Sequence, residues 1–263
     1  MRKLMIAANW KMNLNTSEAS LLVHRLNKVI QVHRDMEVVL APSLLSLQPI
    51  SLEIDRRKFR LAAQNAYYQD EGAYTGEVSF TMLRDIVHYV IIGHSERRIY
   101  FHETLEVVRD KVAAAIRNRV TPLLCIGETF EERKNGETKQ VIHDQLTTAL
   151  SNLTTTGVEN MVIAYEPVWA ISTFNGILAK PYDVEEVMKR IRYEIKELYG
   201  EKASETTRIL YGGSVDEQVL RGYLEIADCD GALVGGASLN YIKFSAMVDS
   251  AYRMLQEHRK NNA

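Results

Sequence analysis

Glu166 is the residue whose surroundings in this sequence point most clearly to chemistry. It follows a short apolar run, residues 161–165, that is typical of a buried strand, and Pro167 then prevents further strand pairing. The next four residues, 168–171, are apolar but too few to form a core element. A carboxylate on rigid backbone, beside a stiff hinge and an apolar lid, is what a general base needs. A solvated strand end followed by a gap-filling tryptophan is the alternative at this point.

Lys11 and His94 closely follow two other apolar runs, and Asn9 and Glu96 lie beside them. Lysine and histidine in these positions, taken singly, are more often a surface lysine and a structural histidine. Together with a carboxylate base, however, they suit removal of a proton next to a carbonyl group. The cation and the imidazole can both stabilise the enediolate that such a step forms.

The segment His94-Ser95-Glu96 also has the H-x-E form that zinc deaminases use. Residues 122–125 lack the C-x-x-C pair that would complete that metal site, so this interpretation is rejected. No G-x-S-x-G, H-E-x-x-H or catalytic Cys–His signature occurs either. The sequence therefore predicts neither a metal site nor a cofactor.

Two Gly-Gly pairs, residues 212–213 and 235–236, follow the last two apolar runs. Glycine pairs let backbone N–H groups approach an anion closely. Ser214, with Glu217 at capping-box spacing, is expected to begin a helix whose positive end adds attraction. Either pair alone would more often be an ordinary tight turn. Two pairs at adjacent strand ends favour a phosphate site.

These residues require elements that bring many strand ends together. Eight apolar runs are predicted to be strands: Leu4–Ala8, Val38–Ala41, Leu61–Gln64, Tyr89–Ile92, Pro122–Ile126, Met161–Tyr165, Ile209–Tyr211 and Ala232–Val234. Helical patterns lie between them at Glu18–Val32, Thr104–Asn118, Lys139–Leu150, Asp183–Tyr199, Asp216–Leu224 and Tyr241–His258, with a second capping box expected at Asp183 and Glu186. This alternation predicts an α/β fold, a closed parallel (β/α)8 barrel forming one domain over residues 1–263. An open doubly wound sheet is the alternative, but its glycine-rich phosphate motifs are missing.

The bulk composition is that of an ordinary soluble enzyme. The chain has 263 residues, 46% of them hydrophobic and 25% charged, and a formal net charge of −2. That charge gives no sign of a nucleic-acid or acidic-membrane partner. Two cysteines, the early end of the first apolar run and the lack of any apolar stretch near membrane-spanning length predict a cytoplasmic protein.

Seven motifs, in order along the whole chain, resemble the triosephosphate isomerase family. They are Asn9-Trp10-Lys11-Met12-Asn13, Ala63-Gln64-Asn65, Gly93-His94-Ser95-Glu96-Arg97-Arg98, Cys125-Ile126-Gly127-Glu128, Tyr165-Glu166-Pro167-Val168-Trp169-Ala170-Ile171, Tyr211-Gly212-Gly213-Ser214-Val215 and Leu233-Val234-Gly235-Gly236-Ala237-Ser238-Leu239. Each motif is moderately specific, and seven in sequence are very specific. The resemblance implies a TIM barrel, an isomerase of glycolysis and gluconeogenesis, and no cofactor.

The resemblance also implies a role for each site residue. Glu166 would be the general base and His94 the neutral electrophile. Both roles are those described for the family. Lys11 would be the fixed cation, Asn9 would orient the carbonyl end, and Glu96 would hold Lys11. The phosphate would rest on Ser172, Ser214, Gly235 and Gly236, under a lid formed by Pro167, Val168, Trp169, Ala170, Ile171, Thr173 and Phe174. A protruding loop with Tyr74 and Thr75 would dock into a second subunit, so a homodimer is expected.

Two segments depart from the family pattern. In the lid, Ser172 replaces a usual glycine, Phe174 adds a ring, and the altered stretch continues through Ile177 into a few extra residues. Serine in place of a glycine at positive φ would cost about 1 kcal/mol. His102 also replaces a usual glycine and is expected to alter loop packing.

Three functions remain open at this stage. In the first, the lid is a tolerated variant and the chain is a working triosephosphate isomerase. In the second, the rebuilt lid accommodates a four-carbon ketose phosphate such as L-erythrulose 1-phosphate, which the chain isomerises. The third is a phosphate-binding protein without turnover, which predicts loss of Lys11, His94 or Glu166. All three residues are present.

Overall fold

A computed structural model describes residues 2–174 and 177–261 of the protein. Eight parallel strands close into a barrel in chain order. They are β1 (Leu4–Asn9), β2 (Met36–Ala41), β3 (Phe59–Ala63), β4 (Tyr89–Ile92), β5 (Thr121–Ile126), β6 (Val162–Tyr165), β7 (Arg208–Tyr211) and β8 (Gly231–Val234). The predicted barrel is confirmed, and every predicted strand differs from the observed one by at most two residues at either end.

Twelve α-helices lie outside the strands in the described ranges. They are α1 (Thr16–Val29), α2 (Leu44–Glu53), α3 (Phe80–Leu83), α4 (Ser95–Tyr100), α5 (Leu105–Arg117), α6 (Phe130–Lys134), α7 (Thr138–Leu150), α8 (Thr155–Glu159), α9 (Pro181–Tyr199), α10 (Glu201–Thr206), α11 (Leu220–Leu224) and α12 (Tyr241–Asn261). Two 3₁₀ helices cover Val168–Ala170 and Gly236–Leu239. No helix in these ranges combines the length and the apolarity that crossing a lipid bilayer requires.

Both predicted capping boxes are wrong. α9 begins at Pro181, because proline's fixed φ suits the first helical position, so Asp183 lies inside the first turn. Ser214 does not begin a helix either: α11 starts only at Leu220 and is five residues long. The Asp216 side chain accepts the backbone N–H groups of Gln218 and Val219, which favours a turn over the predicted helix start.

Alternate residues of each strand face two different cores. On β1, Met5 and Ala7 belong to a cluster of side chains from the barrel strands alone. Ile6 and Ala8 belong to the larger cluster that includes the helices. Both faces of every strand are therefore buried, which explains why the strands are continuous apolar runs in the sequence rather than alternating ones.

Charged groups at the start of the strands satisfy one another. Glu37 on β2 accepts hydrogen bonds from the Tyr89 hydroxyl, at 2.6 Å, and from Arg208 on β7, at 2.7 Å. Arg208 also donates to the Tyr89 hydroxyl at 2.9 Å, and burial raises the pKa of Tyr89 to about 12. These three polar groups are used by one another and are not free for a ligand.

His102, between α4 and α5, has a φ of 54°. This is the left-handed region, where side chains with a Cβ are strained and glycine is not. His102 is also exposed. The backbone conformation therefore gives a physical reason for the glycine that the family pattern has at this position.

We expect His102→Gly to raise the free energy of unfolding by about 0.5–1 kcal/mol, because release of left-handed strain exceeds the added chain entropy of glycine. Chemical denaturation at constant m-value measures this change. His102→Ala is the control, since alanine keeps the strain. Equal free energies of unfolding for the glycine and alanine variants would show that backbone strain at residue 102 is not the cause.

Candidate active site

A cavity of about 450 Å³ opens at the carboxyl ends of the barrel strands. Its wall contains nine of the predicted site residues: Asn9, Lys11, His94, Glu166, Ile171, Ser172, Ser214, Gly235 and Gly236. These come from the ends of β1, β4, β6, β7 and β8 and from the lid. Side chains far apart in sequence meet here because a closed parallel barrel brings all its strand ends to one face. In residues 2–174 and 177–261, no group of three or more His, Cys, Asp or Glu side chains is arranged to hold a metal ion.

Glu166 presents a buried carboxylate to this cavity, with only 1% of the residue exposed. Its backbone N–H donates to the Ile126 carbonyl at 2.7 Å, which continues the pairing between β5 and β6 by one residue. Oε2 accepts the Ser95 backbone N–H at 3.1 Å. Oε1 lies 3.1 Å from His94 Nε2, but the contact lacks hydrogen-bond geometry, so Oε1 has no hydrogen-bond partner among the described residues. One buried oxygen is therefore left for a ligand.

Gly212 allows the Glu166 side chain to lie where it does. A Cβ at residue 212 would come within 2.7 Å of Glu166 Cγ and 3.3 Å of the Tyr165 carbonyl oxygen. Any larger residue would push the carboxylate away from His94. The first glycine of the pair is thus required for close packing against Glu166, a reason different from the predicted anion binding.

His94 is oriented by the start of α4. Its Nδ1 accepts the Glu96 backbone N–H at 3.2 Å, as the N-terminal cap of that helix. A ring nitrogen that accepts a hydrogen bond carries a lone pair, so the neutral ring holds its proton on Nε2. The imidazole N–H therefore lies on the side of Glu166 and the cavity.

Lys11 is held in a strained backbone conformation, with φ at 52°. Two side-chain amides fix it: Asn9 Oδ1 accepts the Lys11 N–H at 3.0 Å, and Gln64 Nε2 donates to the Lys11 carbonyl at 2.9 Å. Strain of this kind persists only where the surroundings fix the backbone. Asn9 thus both lines the cavity and shapes the turn that directs Lys11.

Glu96 lies behind Lys11, in a neighbouring groove and outside the cavity wall formed by the described residues. Lys11 Nζ donates to Glu96 Oε1 at 2.5 Å. Burial raises the pKa of Glu96, but the hydrogen bond and charge of Lys11 outweigh burial and leave the pKa below its usual value. Glu96 is therefore an anion at neutral pH that fixes the position of the lysine.

The two glycine pairs border the cavity on the side of β7 and β8. The 3₁₀ helix Gly236–Leu239 starts there, and the first N–H groups of any helix lack partners within it. The Ser214 hydroxyl has no hydrogen-bond partner in the described part of the chain, while its N–H donates to the Ala170 carbonyl at 3.0 Å. Because no helix begins at Ser214, no helix dipole attracts an anion there. The groups that can donate to an anion are the backbone N–H groups at the start of the 3₁₀ helix and the Ser214 hydroxyl.

The lid begins as the 3₁₀ helix Val168–Ala170, directly after Pro167. Trp169, Ala170 and Ile171 are buried, and Ile171 also lines the cavity. Ser172 is exposed and is not among the described non-glycine residues with positive φ, so the strain expected for it is not present in this lid position. Asn175 and Gly176, within the atypical lid stretch, lie outside the described residues.

Glu128 contacts the lid, and its role was not predicted from the sequence. This fully buried carboxylate accepts the Trp169 indole N–H at 2.9 Å and the Tyr165 hydroxyl at 3.1 Å, and its backbone carbonyl accepts the Val168 N–H. Burial raises the pKa of Glu128 despite these donors. The sequence signal that could have indicated this role is the position of Glu128 just after β5, which matches the position of Glu166 just after β6.

Lys243, in the first turn of α12, also lines the cavity and was not predicted. Its Nζ lies 3.9 Å from Glu217 Oε1, a long ion pair. A lysine in the first helical turn is electrostatically unfavourable, which was the only signal in the sequence. The cavity is thus bordered by two cationic side chains, Lys11 and Lys243.

Tyr74 and Thr75 lie in the segment before β4 and contribute nothing to the cavity wall of the described chain. The Tyr74 ring packs on Tyr67 with centroids 4.7 Å apart, and Thr75 is exposed.

Comparison with known proteins gives a consistent result. The family model described as triosephosphate isomerase matches residues 4–251. The chain is 43% identical over 250 residues to the triosephosphate isomerase of Clostridium beijerinckii, covering 95% of this chain and 100% of that protein. It is 42% identical over 258 residues to that of Dehalococcoides mccartyi strain BAV1, covering 98% and 100%. For the Clostridium tetani protein of the same name the identity is 44% over 250 residues, covering 95% and 97%. By sequence, as by barrel and cavity, this chain belongs to the triosephosphate isomerase family.

Proposed function

We propose that this chain interconverts glyceraldehyde 3-phosphate and dihydroxyacetone phosphate. The observation that carries the proposal is the buried carboxylate of Glu166, whose Oε1 lies 3.1 Å from His94 Nε2 and lacks a hydrogen-bond partner within the described residues. A general base needs such a free oxygen in a site that excludes water. The relatives at 42–44% identity are triosephosphate isomerases, which supports the three-carbon substrate.

In this proposal Glu166 removes a proton from the carbon next to the carbonyl. The electrons of the broken C–H bond form the C=C bond of an enediolate, and the carbonyl π electrons move to oxygen. The glutamic acid then returns the proton to the neighbouring carbon, while a hydroxyl proton passes from one oxygen to the other. Oxidation of one carbon balances reduction of the next, so the reaction needs no external electron acceptor.

The remaining site residues stabilise charge as it develops. His94 donates its Nε2 proton in a hydrogen bond to the enediolate oxygen, and Asn9 orients that end of the substrate. Lys11, fixed by Glu96, supplies a positive charge that favours both the enediolate and the phosphate. This division of roles is supported by the short Lys11–Glu96 contact and by the His94 ring, which the Glu96 N–H holds with its proton on Nε2.

The phosphate is assigned to the part of the cavity wall formed by Ser172, Ser214, Gly235 and Gly236. Its support is the unused Ser214 hydroxyl and the glycine backbone at the start of the 3₁₀ helix Gly236–Leu239. The lid then covers the bound substrate. Exclusion of water strengthens each electrostatic contact and protects the enediolate from loss of its phosphate.

We propose further that two copies of the chain form a homodimer. A groove of about 510 Å³ adjoins the active-site cavity and shares Asn9, Lys11 and His94 with it. Its other wall includes the exposed side chains of Met12 and Phe101. Exposed apolar groups beside catalytic residues favour an occupant that completes the site. The protruding segment with Tyr74 and Thr75 of a second copy is the proposed occupant.

The cytoplasm is the proposed location, and glycolysis and gluconeogenesis the proposed context. Cys125 and Cys229 are both free and buried. Burial raises the pKa of each thiol, that of Cys229 to about 12, so neither is reactive. Two unpaired thiols fit a reducing compartment.

The four-carbon alternative, isomerisation of L-erythrulose 1-phosphate, rests on the altered lid alone. Phe174 packs on Tyr100 and lies outside the cavity wall formed by described residues. Its ring is therefore not placed to select a four-carbon substrate by direct contact. A phosphate-binding protein without turnover is less consistent still, since Lys11, His94 and Glu166 are all present.

We expect Glu166→Gln to lower kcat by roughly 10²–10⁴-fold, the usual effect of losing a general base, with little change in KM. Thermal unfolding should occur at the same or higher temperature, because a buried charge is removed. Steady-state kinetics with glyceraldehyde 3-phosphate measure this, and exposed Glu131→Gln on α6 is the matched control. Activity within tenfold of the parent would refute Glu166 as the base.

Side-by-side kcat/KM values separate the two substrates. We expect glyceraldehyde 3-phosphate to be preferred to L-erythrulose 1-phosphate by about 10- to 100-fold, since a closed site discriminates against one extra CHOH unit. Ser172→Gly should keep this preference, because Ser172 shows no backbone strain. A preference for the four-carbon sugar in the parent would reverse the assignment, and a reversal only in Ser172→Gly would make this residue the determinant.

Analytical ultracentrifugation tests the dimer. We expect twice the chain mass of 30.0 kDa for the parent, and a shift to the single-chain mass with lower kcat/KM for Thr75→Arg, because a charged side chain would enter the groove. Thr156→Arg, an exposed site on α8, serves as the control. A monomeric parent, or an unchanged mass for Thr75→Arg, would argue against this interface.

A further inference from the structure

Phe174 and Tyr100 form an aromatic contact between the lid and α4. Their ring centroids are 5.9 Å apart with an interplanar angle of 31°, within the range of interacting aromatic pairs. Phe174 is half-buried, whereas Tyr100 remains 55% exposed. Neither ring belongs to the cavity wall that the described residues form, so neither is placed to touch a substrate.

The residue before Phe174 connects the lid to the Lys11–Glu96 pair. The Thr173 hydroxyl accepts a hydrogen bond from Lys11 Nζ and donates one to Glu96 Oε1, both at 3.2 Å. With the 2.5 Å contact between Lys11 and Glu96, the three side chains form a closed triangle. The lid tip is thus bonded directly to the cation that lines the cavity.

The hydroxyl contacts alone make a weak attachment. Thr173 is exposed, and water competes for both of its hydrogen bonds. Phe174, the next residue, adds an apolar contact with Tyr100, which lies on the same helix as Glu96. A ring contact beside the triangle adds an attraction that does not depend on a hydrogen bond, and so strengthens a contact that would otherwise exchange readily.

We propose that Phe174 and Tyr100 are a pair of positioning residues, here called the aromatic clasp, that dock the lid onto the Lys11–Glu96 pair and slow its opening. The inference rests on the proposed function in one respect: slower opening delays product release from the isomerase site. The clasp acts through Thr173 on Lys11, and not by contact with the sugar. A chance contact between two partly exposed rings would have no effect on lid opening.

Lid opening can be followed without turnover. The chain has two tryptophans, so fluorotryptophan labelling gives two ¹⁹F NMR signals, and exchange of the Trp169 signal reports the lid. With inorganic phosphate bound, we expect Phe174→Ala and Tyr100→Ala each to raise the opening rate by about 2- to 10-fold, the effect of losing one aromatic pair. The double variant should show no further increase, because both substitutions remove the same contact.

Kinetics provide the second measurement. In each clasp variant we expect KM for glyceraldehyde 3-phosphate to rise by a similar factor while kcat does not fall, because docking and not chemistry is weakened. Phe174→Leu, which keeps apolar volume without a ring, should show an intermediate effect and guards against misfolding. Tyr193→Ala, at an exposed ring on α9, should leave every value unchanged.

Additive effects of the two substitutions, or unchanged exchange of the Trp169 signal in both, would overturn the clasp. Lack of isomerase activity in the parent would instead count against the proposed function, since the NMR measurement with phosphate needs no turnover. The two failures are therefore distinguishable.

Discussion

The structure depends on keeping one carboxylate buried with a free oxygen. Burying a charged group that is only partly hydrogen-bonded is costly, and the group tends to be neutralised or to move unless its surroundings hold it. Glu166 is held by strand pairing on its backbone, by the Ser95 N–H on Oε2, and by the absence of a side chain at Gly212. A closed barrel is rigid enough to maintain this arrangement, since each strand end is fixed by two neighbours.

The same constraint couples Glu166 to the lid. Only Pro167 separates Glu166 from Val168, whose N–H is bonded to Glu128, and Glu128 also receives the Trp169 indole. Ala170 is then tied to the loop after β7 through the Ser214 N–H. Movement of residues 168–170 must therefore break contacts within a few residues of Glu166, so opening of the cavity and the position of the carboxylate are linked by short stretches of backbone.

Two groups of polar residues, one at each end of the barrel, differ in their hydrogen bonding. At the start of the strands, Glu37, Tyr89 and Arg208 hydrogen-bond to one another. At the other end, the Ser214 hydroxyl and one oxygen of Glu166 have no partner in the described chain. A ligand in the cavity can satisfy such groups, which favours this end of the barrel as the site because both residues line the cavity.

The sequence by itself determined the barrel and most of the cavity wall. Buried parallel strands are continuous apolar runs, so β1 to β8 could be recognised from those runs in the sequence. In a closed parallel barrel the polar residues at the strand ends must then share one face. Helix starts were less predictable, because Pro181 and the Asp216 turn outweighed capping-box spacing. Only tertiary structure decided the roles of Glu128 and Lys243 and the contacts of Thr173 and Phe174. Those depend on which loops approach one another across the barrel mouth, and long-range packing of that kind leaves no periodic signal in the chain.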